Sequence, residues 1–143
     1  MTATLTQARD EILGHFKAAW DADGTASQYP IRYWAVSEEK PTTDAWVRIT
    51  VAHVDGGQAT LSGATGQRRF RHFGVVTVQV FTKYGDGLTL NDQLCTVAKN
   101  AFEGEVTSPG RVIFRNVRLN EVGQDDQWFQ TNVLADFEYD EIR

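Results

Sequence analysis

The densest group of chemically active side chains is basic and lies near the middle of the chain. Arg68, Arg69 and Arg71 fall within four residues, next to Phe70 and His72. Guanidinium groups bind carboxylates or phosphates well, because they donate several hydrogen bonds in a fixed plane. Three interpretations of this segment stay open: a solvated loop base, contact with an acidic protein surface, and nucleic-acid binding.

Further basic residues and a group of acids follow later in the chain. Arg111, Arg115 and Arg118 lie on or beside a predicted strand. Same-face residues of a strand are about 7 Å apart, which is too far for neighbouring acids to share one cation without help. We therefore predict a solvated acidic face or an ion-pairing surface between subunits. The acids concerned are Asp136, Glu138, Asp140 and Glu141.

Residue patterns typical of enzymes and cofactor sites are missing from the sequence. His15, His53 and His72 have no partner at the spacing of zinc ligands. Cys95 lies on the apolar side of a predicted helix, which is typical of a buried structural thiol. The glycine-rich residues 55–67 lack the Gly-Lys-Ser/Thr ending of a phosphate-binding loop. We predict a protein that is not an enzyme and has no cofactor or metal.

Composition limits the class of protein. A chain of 143 residues with 41% hydrophobic and 11% aromatic residues predicts one domain with a sizeable core. The net charge of −5 opposes a dedicated nucleic-acid binder, whose affinity depends on many basic contacts to phosphate. The single cysteine cannot form an internal disulfide, and we see neither a signal peptide nor a membrane-spanning stretch. We expect a soluble intracellular product without membrane partners.

Helical periodicity predicts two helices, which would support the strands that carry the basic and acidic side chains. Apolar residues recur at three- and four-residue intervals over residues 5–20, and Thr4 and Gln7 have capping-box spacing before them. Residues 89–102 show the same periodicity, and we expect Thr89 to be the N-cap.

Alternating apolar patterns predict five strands between and after the helices. Residues 55–67 are predicted to be a flexible loop or an extended hairpin tip, and residues 123–126 a hairpin connection. Because hairpin-compatible links dominate, we predict an α+β domain with one mostly antiparallel sheet and both helices on one face. The predicted strands are residues 31–36, 45–53, 69–82, 112–122 and 128–143.

The last strand has the most regular pattern of all. Phe129, Val133, Ala135, Phe137 and Tyr139 fall on every second position, and most of the acids lie between them. Alternation therefore places an apolar row on one side and an acidic row on the other. A slip of one residue would bury the acids, so the register is strongly specified. We expect this strand to close the sheet, with its acidic side facing something outside the molecule.

Three segments carry a family resemblance. The ending reads aromatic-x-Gln-x-Asn-Val from Trp128 and then Asp-Phe-x-Tyr-Asp-Glu from Asp136. Residues 73–81 form a strand pattern that runs into Gly-Asp-Gly, and the helix pattern of residues 89–102 follows. Together they resemble the small tail-terminator (tail-completion) proteins of long-tailed bacteriophages, which include the minor tail protein U of lambda-type phages.

The resemblance implies a structural role in the virion. Proteins of this family form a ring, expected to hold six copies, that caps the finished tail tube, stops its elongation and meets the head-completion proteins. Expected partners are thus other copies of the chain, the tail tube protein and the neck proteins, first in the host cytoplasm and then in the tail. A neck or head–tail connector protein is the nearest alternative. A nucleic-acid-binding module using Arg68 to His72 is a further alternative, although no specific nucleic acid is expected.

Charge distribution suggests how such a ring would be held. A heterologous interface joins different patches of identical subunits, and it closes into a ring when the rotation allows. We hypothesise that the acids of the last strand pair with arginines of the next copy. The residues concerned are Asp136, Glu138 and Asp140 on one side, and Arg68, Arg69, Arg71, Arg115 and Arg118 on the other.

Overall fold

Two helices and five strands follow one another in the order that the sequence predicts. The computed structural model describes residues 3–36, 44–60, 63–107 and 112–143. The strands form one mixed sheet, so the predicted α+β class is confirmed. The elements are α1 (Leu5–Ala22), β1 (Ile31–Tyr33), β2 (Trp46–Gln58), β3 (Arg69–Lys83), α2 (Thr89–Phe102), β4 (Ile113–Asp125) and β5 (Trp128–Ile142), with a 3-10 turn at Ala26–Gln28.

The first helix begins as predicted, with a capping box. The Thr4 hydroxyl accepts a hydrogen bond from the Gln7 backbone N–H at 3.2 Å, and the Thr4 N–H donates to the Gln7 side chain at 3.0 Å. This exchange satisfies two donors that a helix start leaves without partners.

The start of α2 differs from the prediction. Leu88 is the N-cap and makes no side-chain hydrogen bond, whereas Thr89 is the first helical residue. The predicted capping role of Thr89 is therefore wrong. Gly104 follows the helix with φ of +72°, a conformation that glycine adopts without strain.

The sheet has the strand order β1-β2-β3-β5-β4. Only β1 pairs with its neighbour in parallel, and the other pairs are antiparallel. The expectation that β5 closes the sheet is wrong, because β5 is hydrogen-bonded to β3 on one side and to β4 on the other. The outer strands are instead the short β1, next to β2, and β4.

Several boundaries also differ from the predictions. The first strand ends at Tyr33, since the next two residues form a turn in which Ala35 has φ of +63°. Strand β2 continues through residues 55–58, which pair with β3, so these residues fit the extended hairpin tip and not the flexible loop. Strand β4 continues to Asp125, which leaves only Asp126 and Gln127 as the hairpin connection. The predicted turn at residues 108–110 and most of the connection at 38–44 lie outside the described residues.

Both helices pack against one face of the sheet, which we call the covered face, and the main core lies between them. Phe16 and Trp20 of α1 and Phe102 of α2 are fully buried there. No helix in the described parts of the chain is long and apolar enough to cross a membrane. The sheet residues of this core are Val47, Ile49, Val51, Val76, Val78, Val80, Val133, Ala135, Phe137 and Tyr139.

Candidate interaction surface: the open face of the sheet

The other face of the sheet, which we call the open face, carries the predicted site residues. Strict alternation along β3 and β5 sends the side chains between the core positions to this face. No helix in the described part of the chain packs on it. Rows of residues run across the strands, such as Ala52, Val75, Asp136 and Arg115 on β2, β3, β5 and β4.

One end of the open face holds a ladder of ion pairs, which we call the charged end. Asp140 on β5 accepts a hydrogen bond from Arg69 at 2.8 Å and another from Arg71 at 2.9 Å, both from β3. The hydrogen bond from Arg71 is the main cause of a lowered pKa of Asp140. One carboxylate thus holds two arginines of the same chain, and it stays ionised at neutral pH.

The ladder continues across the pairing of β5 with β4. Arg115 donates to Glu138 at 2.8 Å, and Arg118 donates to Asp136 at 3.1 Å. The pairing of β4 with β5 shifts in register between Arg115 and Arg118, where Asn116 has φ of +53°. This irregularity keeps both arginines on the open face, beside the acids of β5. Asn116 also donates to Asp136, at 3.2 Å.

The structure brings together seven of the eight predicted interface residues and leaves one apart. Arg68 donates to the backbone oxygen of Gly63 at 2.8 Å and makes no ion pair with the described acids. Arg111 lies outside the described residues. The seven residues of the charged end are Arg69, Arg71, Arg115, Arg118, Asp136, Glu138 and Asp140.

The pairs of the charged end form within one chain, which differs from the hypothesis of pairing between copies. The register of β3, β5 and β4 places each acid beside an arginine of the neighbouring strand. Such partly exposed pairs contribute roughly 0–1 kcal/mol each, so they order the surface more than they stabilise the fold. A partner that meets the charged end therefore meets acids that already have arginine partners within the same chain.

The opposite end of the open face holds an aromatic cluster that the sequence pattern did not predict, and we call it the aromatic corner. Trp46, Phe81 and Trp128, from β2, β3 and β5, form a buried cluster of their own. Trp46 stacks on Phe81 with ring centroids 4.3 Å apart, and Trp128 meets Trp46 edge-on at 6.4 Å. The guanidinium of Arg48 lies over both stacked rings, 5.2 Å and 5.8 Å from their centroids.

A cavity of about 210 Å³ adjoins the aromatic corner at the β1–β2 edge. Trp34 forms part of its wall and is 57% exposed, while Trp46 is 2% exposed. The indole Nε1 of Trp46 is buried and has no hydrogen-bond acceptor among the described residues. Arg48, which also lines the cavity, has no carboxylate partner in the described part of the chain. A basic and aromatic cavity of this kind suits an acidic side chain with apolar neighbours.

The three histidines occupy structural positions. His15 lies 2.7 Å from the backbone oxygen of Ala101, and His53 lies 2.7 Å from the hydroxyl of Tyr139. His72 lies 3.2 Å from a carboxylate oxygen of Glu141. Among the described residues, His, Cys, Asp and Glu side chains do not gather in a group that could hold a metal ion.

Cys95 is buried in the main core beside α2. Burial, together with the nearby charge of Asp92, raises the pKa of its thiol to about 12. The thiol is therefore neutral at physiological pH and lacks the reactivity of a nucleophilic thiolate.

Comparison with known proteins gives information on the fold alone. No protein-family model matches the sequence, and no curated protein matches it. Solved structures do match, and one of them is similar over 92% of this chain and 94% of its own, with a TM-score of 0.66 and 21% identity. At that level of identity the chain shares the α+β fold of its structural neighbour.

Proposed function

We propose that this chain is a tail-terminator subunit of a long-tailed bacteriophage. Copies of it form a ring that caps the finished tail tube, ends elongation and joins the tail to the head-completion proteins. The protein would assemble in the host cytoplasm and then become part of the virion tail. Two things support this function: the family resemblance of the sequence and one structural observation.

That observation is the one-sided construction of the sheet. The helices supply the core on the covered face, whereas the open face spans all five strands without a helix on it in the described part of the chain. Exposing a broad sheet face is favourable only if its side chains are polar or are to be covered by a partner. The charged end and the cavity beside the aromatic corner provide two different surfaces, as a subunit that contacts several proteins requires.

The properties of the arginines favour this function over nucleic-acid binding. Arg69 and Arg71 of the 68–72 segment hold Asp140, which leaves Arg68 as the one arginine of this segment without an acidic partner among the described residues. Phe70, the only aromatic side chain between them, lies 4.6 Å beneath the guanidinium of Arg143. Because binding to phosphates needs free cations and accessible stacking surfaces, this segment is poorly suited to it.

Deletion of the gene, followed by electron microscopy of the lysate, tests the proposal. Without its terminator a tail tube continues to grow, so we expect overlong, uncapped tails and no infectious particles. Normal-length tails that are detached from heads would instead identify a neck connector. Complete particles with tails of normal length would overturn both assignments.

A further inference from the structure

The cavity at the β1–β2 edge is lined by hydrogen-bond donors that have no acceptor among the described residues. We propose that it binds an acidic side chain of a partner protein, presented next to an apolar residue. Arg48 pairs with the carboxylate, and the ring of Trp34 covers the apolar neighbour. This site does not depend on the proposed role in tail termination.

Arg48 carries a charge that the sheet leaves without a counterion in the described part of the chain. Its neighbour on β3 is Gln79, and the flanking residues on the same face of β2 are Trp46 and Thr50. All three are uncharged, and the guanidinium lies over the rings of Trp46 and Phe81. Cation–π contact supplies no acceptor, so the N–H donors of Arg48 are available to an anion.

The charged end shows the opposite arrangement on the same face. There the register places an acid of β5 beside each arginine. The row that runs across the sheet from Arg48 continues instead with the amides of Gln79, Asn132 and Asn120. The strand pairing that neutralises the other arginines thus leaves Arg48 for an acid from outside the chain.

The indole of Trp46 is a further donor in the wall of the cavity. Its Nε1 is buried without an acceptor among the described residues. Trp20 shows the usual arrangement, since its Nε1 donates to the backbone oxygen of Tyr29 at 3.1 Å. Buried donors are paired in most native proteins, so an unpaired one indicates a partner that the isolated chain lacks. Donors from Arg48 and Trp46 together favour a ligand that only accepts hydrogen bonds, such as a carboxylate.

Trp34 supplies the apolar part of the site. Its side chain is 57% exposed, and its N–H donates to the backbone oxygen of Ile49 at 3.2 Å. Ala35 follows with φ of +63°, which is unfavourable for a residue with a Cβ atom. Strained backbone that keeps a large apolar side chain at the surface is a common property of binding sites. The ring is thus held where it can cover an apolar group beside the carboxylate.

The size of the cavity favours a protein partner over a free small molecule. Its volume of about 210 Å³ is below the range of roughly 300–1,000 Å³ that is typical of sites enclosing a small-molecule ligand. The cavity therefore suits a single acidic side chain with its apolar neighbour, and the remainder of the partner lies on the surrounding surface.

The charges around the aromatic corner favour a carboxylate over the phosphates of a nucleic acid. Binding of nucleic acid requires many basic contacts, because each one neutralises a phosphate. At this end of the sheet Asp125 pairs with Trp128, and Asp126 follows it, both with exposed side chains. An extended polyanion would meet these like charges, whereas a single acidic side chain needs only Arg48.

Titration of the isotope-labelled protein with a short acidic peptide tests the site. The probe is acetyl-Leu-Glu-Leu-amide, and nuclear magnetic resonance follows the side-chain N–H signals of tryptophan and arginine. Because the contact is small, we expect a dissociation constant of about 1 mM at low salt. The signals of Trp34, Trp46 and Arg48 should shift. That of Trp20 should stay in place, because its indole already has an acceptor.

Removal of either charge should weaken binding about tenfold or more, the usual effect of losing a hydrogen bond to a charged group. Glutamine in place of glutamate in the peptide does this on the unaltered protein, so its result does not depend on the folding of a variant. Arg48→Met removes the guanidinium and keeps an apolar stem. Glycine in place of both leucines should weaken binding several-fold, because Trp34 then loses its apolar contact.

Arg115→Met is the matched control, because it removes an arginine of the same face whose acid lies within the chain. The dissociation constant should stay within about twofold of the unaltered value, as expected for independent sites. Thermal melting of both variants shows that each one folds.

Three results would overturn the site. One is equal affinity for the glutamate and glutamine peptides, and another is binding that shifts neither Arg48 nor Trp46. The third is the absence of any shift at a peptide concentration about tenfold above the expected dissociation constant. Tighter binding of oligothymidylate than of the acidic peptide, with shifts at Arg48 and Trp34, would assign the cavity to nucleic acid instead.

Discussion

The covered and open faces of the sheet consist of the same strands but differ in what fixes their side chains. On the covered face, close packing leaves no room around residues such as Gly74, where Phe137 lies against the backbone. On the open face, Gly57 has free space where a side chain would be. The packing of the covered face therefore determines the stability of the fold, whereas the side chains of the open face can vary with what the protein binds.

The largest expected effect is the loss of stability from filling the space at Gly74. A Cβ atom there would lie 2.3 Å from the backbone oxygen of Ala52 and 2.3 Å from Cζ of Phe137. Gly74→Ala should therefore lower the free energy of unfolding by about 3 kcal/mol, the upper part of the range for overpacking. Urea unfolding followed by circular dichroism measures the change.

Gly57→Ala is the matched control on the open face, because nothing lies within 4 Å of its added Cβ atom. It should change the stability by less than about 0.5 kcal/mol, as surface substitutions usually do. Equal losses at both glycines would contradict the contrast between the faces.

An intermediate effect on stability is expected from a change of pH, and the pH range of this effect differs between the two faces. Burial, with smaller contributions from Arg9 and His72, lowers the pKa of His53 on the covered face. The unfolded chain then binds this proton more tightly than the folded chain does. The contribution of neutral His53 to the free energy of unfolding is therefore complete above about pH 6.5 and is lost as the pH falls through the lowered pKa of the folded state.

On the open face, the lowered pKa of Asp140 also makes the folded state less stable as the pH falls, but at lower pH than for His53. Its stabilisation is complete above about pH 3.9, the ordinary value for aspartate, and is lost on further acidification. The urea midpoint should therefore fall in two stages on acidification. His53→Gln should flatten the first stage and Asp140→Asn the second, and a profile that neither variant alters would contradict these assignments.

The smallest effect is expected for a single ion pair of the charged end. The Arg115 side chain is 66% exposed, so its 2.8 Å pair with Glu138 is well screened by solvent. A double-mutant cycle with Arg115→Ala and Glu138→Ala should give a coupling energy of about 0.5 kcal/mol that decreases with added salt. A coupling of several kcal/mol would mean that the open face stabilises the fold as the core does.

Sequence periodicity was sufficient to predict the local elements. The helix of residues 89–102 and the apolar row that includes Val133, Phe137 and Tyr139 are confirmed, because both depend on the spacing of residues close in sequence. The order of strands does not follow from such spacing. The insertion of β5 between β3 and β4 arises from long-range pairing, and it brings Arg71 beside Asp140.

The candidate surface was predictable only in part for the same reason. The arginines and acids are conspicuous in the sequence, whereas their pairing within one chain depends on the register of three strands. Trp46, Phe81 and Trp128 are far apart in sequence and form the aromatic corner only after the sheet has formed. The positions of Trp46 and Trp128 on the polar side of alternating strands were the available signal.

The length distribution of tails in the gene-deleted phage is the most direct test of the central claim, that this chain ends tail elongation. We predict long tails of variable length without the gene and a single narrow length when a plasmid supplies the wild-type chain. Identical length distributions with and without the plasmid would contradict that claim.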